Sequence, residues 1–399
     1  MRKGKIGLGL MAAAILLGGC GRAVIPDLPA AAKDYYRQLA PGESALRKIT
    51  DPADLPDFRP AFDGDRSALL AALDQSVRYF GYPSSRKYYP VQDITHARAV
   101  AGLVAFRETL NSASTADEFQ ERVVNTLDVY ESVGCDSAGT VLFTGYYTPI
   151  FDASLTQTAE FRWPLYKMPS DLEKGPEGET LGRRTTEGSL VPHYTRGEID
   201  AGALKGLELV WLKDRFDAYV CTVQGSAQLR LPDGSLFKIG YAANNGKEYA
   251  GIGPMLVKEG RLPVEKLTLS GLTEYFQQHP EMMDQYLPRN ERYVFFQETE
   301  KAPTGSLGLP VTPYRSIATD KSLFPRGCLA FVQTQVPASD GALNFQQAPF
   351  RQFVLDQDAG GAIRAAGRCD IYLGIGSAAG RIAGWTLSEG RLYYLALKE

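Results

Sequence analysis

The chain has 399 residues, with 43 Lys and Arg against 46 Asp and Glu, a formal net charge of −3 and three histidines. A mildly acidic body argues against a nucleic-acid binder, and the scattered His96, His193 and His279 make zinc or Ser–His–Asp chemistry poor choices. With 40 Gly, 24 Pro and 21 Tyr, short strands and many turns are favoured over long helices, and the length suits two domains or one large one with an insertion.

Residues 1–20 open with MRKGK, a basic n-region, and continue as IGLGLMAAAILL, an apolar run too short for a comfortable membrane span. Small residues lead into Cys20 in Leu17-Gly18-Gly19-Cys20, the pattern accepted by a bacterial lipoprotein signal peptidase. Acyl chains on Cys20 would hold the protein on a membrane surface. Gly21 is not the aspartate of an inner-membrane retention signal, so the expected location is the outer membrane, facing the periplasm. The alternative is an ordinary secretory signal with an incidental cysteine.

Residues 21–65, rich in proline and charge, read as a tether and irregular entry segment. Three helices follow by apolar periodicity. SALLAALDQSVRYF puts Leu69, Leu70, Leu73, Val77 and Phe80 on one face. Thr95 caps HARAVAGLVAFRETL, with Val100, Leu103, Val104 and Leu110 in a stripe. Thr115 and Glu118 have capping-box spacing before FQERVVNTLDVY, with Phe119, Val123, Leu127 and Tyr130 on one side. After Cys135 the texture turns to β: VLFTGYYTPIFDASL as a strand, a Gly-Tyr-Tyr bend and more extended chain, then FRWPLYKMP, LELVWLKD, FDAYVCTVQGSAQLRL and SLFKIGYAA. PDGS at 232–235 marks a hairpin. SGLTEYFQQHPEMMDQYL is helical, and NERYVFFQE, GLPVTPYRSIATD, RGCLAFVQTQV, FRQFVLDQD and DIYLGIG continue in β. The expected fold is mainly β with flanking helices: two barrel-like bodies with a ligand groove between them.

The acid–base groups left for chemistry are carboxylates, because no GxSxG elbow or phosphate loop is present. A carboxylic acid in a partly apolar cleft has its pKa raised by desolvation and can donate a proton near neutrality. In DIYLGIG, strand alternation sets Asp370 and Tyr372 on one face and Ile371 and Leu373 on the other. Asp370 is therefore either a general acid facing a cleft or a strand-end residue capping a turn. Asp358 precedes Ala359-Gly360-Gly361 and folds most simply onto the turn's own amides. Asp320 resembles a turn former, and Asp356 a surface residue.

ATDKSLFPRGCLAFV, FVLDQDAGGAIRAAGRCDIYLGIG and AGRIAGW together resemble the three-aspartate domain, with Asp320, Asp358 and Asp370 as the matching acids. Upstream, FTGYYTPIF, YKMP, VQGSAQLRLPDGSLFKIGYAANNGKEY and NERYVFF are similar to the membrane-bound lytic murein transglycosylase A family. The resemblance implies a double-psi β-barrel into which a second β-barrel is inserted at 149–297, between an N-terminal helical part (21–148) and a catalytic part (298–399). It implies cleavage of the β-1,4 bond between N-acetylmuramic acid and N-acetylglucosamine without water. Asp370 would be the acid and then the base, Asp358 supporting and Asp320 supporting or structural. Thr144, Gly145, Tyr146 and Tyr147, then Gln224, Gly225 and Ser226, then Tyr241, Asn245 and Tyr249 match glycan-binding positions. No cofactor or metal is called for. The implied partners are peptidoglycan strands, the membrane through Cys20, and complexes of cell-wall synthesis or hydrolysis, with a monomer as the working form. Beside the resemblance stands an expected Cys328–Cys369 bridge pinning the strand of Asp370. A two-carboxylate polysaccharide hydrolase and a non-catalytic glycan-binding lipoprotein are the competing readings.

Overall fold

The computed structural model describes residues 33–176, 178–263, 266–339 and 345–399. Cys20 and the signal segment lie outside the described residues. Among those residues no helix is long and apolar enough to cross a membrane.

As expected, the fold is mainly β with flanking helices. The first sheet contains β1 (Leu46–Lys48), β2 (Leu127–Ser132), β3 (Val141–Thr148), β13 (Ser316–Ala318), β14 (Leu329–Ser339), β15 (Phe345–Asp358), β16 (Arg368–Ile375) and β17 (Leu387–Leu397). Its order is β1-β2-β17-β14-β15-β13-β16-β3, and a further β17–β3 pairing closes six of these strands into a barrel. Two pairs are parallel, β13 with β15 and β16 with β3, in an otherwise antiparallel barrel. This is the double-psi barrel. The second body takes β4 (Ile150–Ser154), β5 (Trp163–Tyr166), β9 (Glu208–Leu212), β10 (Ala227–Arg230), β11 (Leu236–Asn244) and β12 (Val294–Glu298), in the order β12-β11-β10-β4-β9-β5. Lys167, just past β5, bridges to Phe296 of β12 and brings the edges together. A small three-stranded sheet, β6 (Leu172–Lys174), β7 (Thr180–Arg184) and β8 (Leu190–Val191), lies beside it.

The helices cover the first barrel. In α1 (Arg66–Phe80) the buried face is Leu69, Ala72, Leu73, Ser76, Tyr79 and Phe80, while Val77 of the expected stripe is exposed. Small Ala72 and Ser76 admit the Gln357 amide, which donates to the Ala72 carbonyl (2.7 Å) and the Ser76 hydroxyl (3.0 Å). The buried face keeps Leu69, Leu73 and Phe80 of the expected stripe and adds this polar contact. Thr95 caps α2 (His96–Ser112) and Thr115 caps α3 (Ala116–Thr126). Glu118 accepts from the Ser114 amide instead of completing a capping box. The third helix stops at Thr126: Leu127–Ser132 is a strand, because β1 and β17 supply hydrogen-bonding partners on both edges.

Three further expectations are corrected. Arg215–Gln224, read as β, is a helix: Asp214 caps its start, accepting from the Asp217 amide, and Gly225 ends it at φ +80°. The chain runs straight through Gly145-Tyr146-Tyr147, and the break comes at Pro149, between β3 and β4. The Cys328–Cys369 bridge is absent. Both thiols are free and buried. Cys328 precedes β14 and donates to the Leu395 carbonyl (3.4 Å), whereas Cys369 lies on β16, with β15 and β13 between those strands.

Candidate active site

Register builds the site. Ala318 of β13 pairs with Asp358 on one side and Asp370 on the other, so the two acids flank one small residue, with Cα atoms about 9–10 Å apart by strand spacing. On the far side of β16, β3 runs parallel with Asp370 opposite Thr144 and Tyr372 opposite Tyr146. Strand alternation then aims Thr144 and Tyr146 at the face that carries both carboxyls.

Asp370 has an 18 % exposed side chain. Its Oδ1 accepts from the Thr144 hydroxyl, and that hydroxyl accepts from Arg368 Nη2 at 3.0 Å. Arg368 Nη2 is itself 3.9 Å from Oδ1. Oδ2 has no partner among the described residues. Burial pushes the Asp370 carboxyl up to about 6; the Arg368 charge pulls against this and the Asp358 charge adds to it.

Asp358 is tied down at both oxygens. Tyr146 donates its hydroxyl to Oδ2 (2.8 Å), and the Ser306 and Ala359 amides donate to Oδ1 (2.8 Å each). Burial raises its pKa and these three donors hold the rise back. Asp320 is scaffold: Oδ1 accepts from Ser322 and Oδ2 from the Ala365 amide (2.9 Å), tying together two loops of the barrel. Asp356 is fully buried, not on the surface, and paired with Lys321, Thr319 (2.8 Å) and Tyr394 (2.8 Å). A buried charge needs such partners.

A groove of about 1090 Å³ runs between the two barrels, lined by Asp358 and Asp370 but not by Asp320 or Asp356. One wall carries Asp358, Gly360, Asp370 and Tyr372; the other carries Gln224, Ser226, Tyr241 and Tyr249. Gln224 Oε1 accepts from the Tyr147 amide (3.2 Å), and Thr148 and Ser226 hydroxyls lie 3.4 Å apart, so the walls are stitched at their base. Gly145 lines the groove with no room for a side chain: a Cβ would stand 2.5 Å from Leu373 Cδ1. Gly225 is the helix stop beside Gln224.

Two expected glycan-binding side chains lie elsewhere. The Tyr147 ring is buried against Gly380. Asn245 is buried, its Nδ2 donating to the Tyr194 and Glu291 carbonyls (2.9 and 2.7 Å) and its Oδ1 accepting from the Tyr293 amide (2.9 Å). Neither lines the groove, because packing and backbone bonds consume them, and Thr144 does not line it either, its hydroxyl being taken by Asp370 and Arg368. Sequence reasoning gave no role to Arg368, Tyr372 or Ser306. Alternation from Asp370 would have found Arg368 and Tyr372, whereas Ser306 acts through a loop amide that no side-chain pattern reveals.

The fold and site are those of a double-psi barrel joined to a second barrel, with Asp358 and Asp370 in the groove between them. Residues 142–297 match the family model "MltA specific insert domain" and residues 315–396 match "3D domain". Membrane-bound lytic murein transglycosylase A of Escherichia coli strain K12 is 32% identical over 273 residues, 67% of this chain and 69% of that protein. Its counterpart from Vibrio cholerae is 31% identical over 270 residues, covering 66% and 68%. A membrane-bound lytic murein transglycosylase from Agrobacterium tumefaciens superposes with a TM-score of 0.72 at 25% identity, covering 88% of this chain and 98% of that one. E. coli MltA with bound chitohexaose gives 0.67 at 25% identity, covering 89% and 95%. The chain belongs to the membrane-bound lytic murein transglycosylase A family.

Proposed function

We propose that this family member is a lytic transglycosylase that cuts the MurNAc–GlcNAc β-1,4 bond of peptidoglycan and leaves a 1,6-anhydromuramyl end, with Asp370 as the only acid–base group. The observation that carries the reading is a largely buried aspartate lining the groove, with one oxygen unpartnered among the described residues and its carboxyl pushed up to about 6 by burial. Protonated Asp370 donates to the leaving glycosidic oxygen. The resulting carboxylate takes the proton of the muramyl C6 hydroxyl as that oxygen closes on C1. Because the nucleophile is tethered to the reacting ring, proximity replaces the second carboxylate that directs water in a hydrolase.

Asp358 supports the single-acid reading by being unfit as a base: all its donors arrive from the protein, on both oxygens. Its charge instead favours the oxocarbenium-like state across Ala318. Glycan strands are the partner, with Tyr241 and Tyr249 offering ring faces and Gln224 and Ser226 polar groups to acetamido and hydroxyl substituents. Acylation of Cys20 would tether the enzyme to the outer membrane, facing the periplasm.

The test is Asp370→Asn on purified murein. Turnover should fall by at least about a thousandfold, with chito-oligosaccharide affinity kept and, for wild type, anhydro ends found by mass spectrometry. Reducing ends from the wild type would identify a hydrolase, and undiminished turnover by the variant would remove Asp370 from the chemistry.

A further inference from the structure

The groove carries positive charge that a single-acid reaction does not use. Arg292 comes from the inserted body, two residues before β12, and Arg364 from the loop joining β15 to β16; both line the groove. Arg292 donates Nη1 to the Lys247 carbonyl (3.0 Å) and lies along Gly361, where a Cβ would stand 2.9 Å from Nε. Gly361 is three residues from Arg364, and the Arg364 charge lies within electrostatic reach of Arg292, so each barrel brings an arginine to one glycine-rich loop. Among the described residues neither forms an ion pair with a carboxylate: Glu248 is within electrostatic reach of Arg292 and no closer. Burial and the neighbouring Arg364 charge both lower the proton affinity of Arg292, while the Tyr241 hydroxyl, also nearby, opposes them. Holding two like charges near one another beside a glycine-rich loop costs energy, and an anion between them would relieve it.

We propose that Arg292 and Arg364 form a two-sided clamp for a carboxylate carried by the glycan strand, beside a sugar ring seated on Tyr241. The proposal rests on the peptidoglycan reading above and deepens it: the groove selects acidic muramyl units over neutral chitin-like ones. The carboxylate has two sources. It is the lactyl acid of the muramyl ring where the peptide has been removed, or an acid of the peptide stem where it has not.

The test compares wild type, Arg364→Gln, Arg364→Glu and the Arg292→Gln/Arg364→Gln pair on three ligands: stem-bearing murein, amidase-stripped strands, and neutral chitohexaose for binding. Arg364 is exposed, so its single variants keep the fold, which circular dichroism verifies. We expect kcat/KM on acidic strands to drop at least roughly tenfold for Arg364→Gln and further for Arg364→Glu, with chitohexaose Kd constant within about twofold. A loss on stripped strands identifies the lactyl acid; a loss confined to stem-bearing murein identifies the stem. Unchanged kcat/KM on both strands, or a parallel loss of chitohexaose affinity, overturns the clamp. A failed peptidoglycan reading looks different, with the wild type cleaving neither strand, and the clamp falls with it.

Discussion

Asp370 sits where burial outweighs a neighbouring positive charge. Loss of solvent favours its neutral form, and the Arg368 guanidinium, 3.9 Å away, favours the anion. The result, about 6, lies above the ordinary 3.8 of an aspartate, which gives two predictions of defined sign. Donation requires the proton, so kcat/KM on murein should decline as one group ionises above about pH 6, and Arg368→Gln, which removes the opposing charge, should shift that limb upward. A pH–rate profile of both proteins checks this. The same shift couples to folding. A folded-state pKa above the unfolded one gives stability that is complete below 3.8 and lost as pH rises through about 6. Asp370→Asn, which cannot ionise, should therefore gain roughly 1–3 kcal/mol on the wild type in urea unfolding between pH 5 and pH 8.

At the scale of the elements, β3 does most to assemble the site. Thr144 meets Asp370, Gly145 lets the helix Gly376–Trp385 approach, and Tyr146 meets Asp358. A methyl at 145 would stand 3.0 Å from the Ala383 Cα as well as against Leu373. Gly145→Ala should accordingly cost about 1–3 kcal/mol in denaturant unfolding and lower turnover by displacing its neighbours. Wild-type stability here would mean that the helix is free to move aside. This strand was read with a bend at Gly-Tyr-Tyr that it does not have, but its neighbours were more legible: alternation in DIYLGIG set Asp370 and Tyr372 on one face, and PDGS gave the β10–β11 hairpin. Arg215–Gln224 was misread because Tyr219, Val220 and Cys221 look like strand residues, whereas Asp214 and Gly225 fix both ends of a helix. Tertiary pairing overrode a good helical stripe at Leu127–Ser132.

Over the whole molecule, the groove exists because two closed barrels share one boundary. A glycan lying in it must touch both walls, so chitohexaose should slow backbone hydrogen exchange in β10–β11 and in the 304–306 and 359–361 loops together. Protection limited to one wall would contradict a strand bound between them. The residues alone left Asp370 and Asp358 open, and the resemblance supplied their roles together with Gln224, Ser226, Tyr241 and Tyr249 of the far wall, whereas Arg292 meets Gly361 only through the fold. Asn245 shows the same limit: its residue type suits a sugar, yet four backbone groups from the second barrel claim it. The strand β3 has one further effect. It bonds to each carboxyl through Thr144 and Tyr146, then reaches the opposite body through Tyr147 with Gln224 and Thr148 with Ser226. It is thus a strut common to the reaction centre and the second barrel. A polymer that pulls on that barrel loads the partners of both acids, which ties grip to proton affinity through one strand.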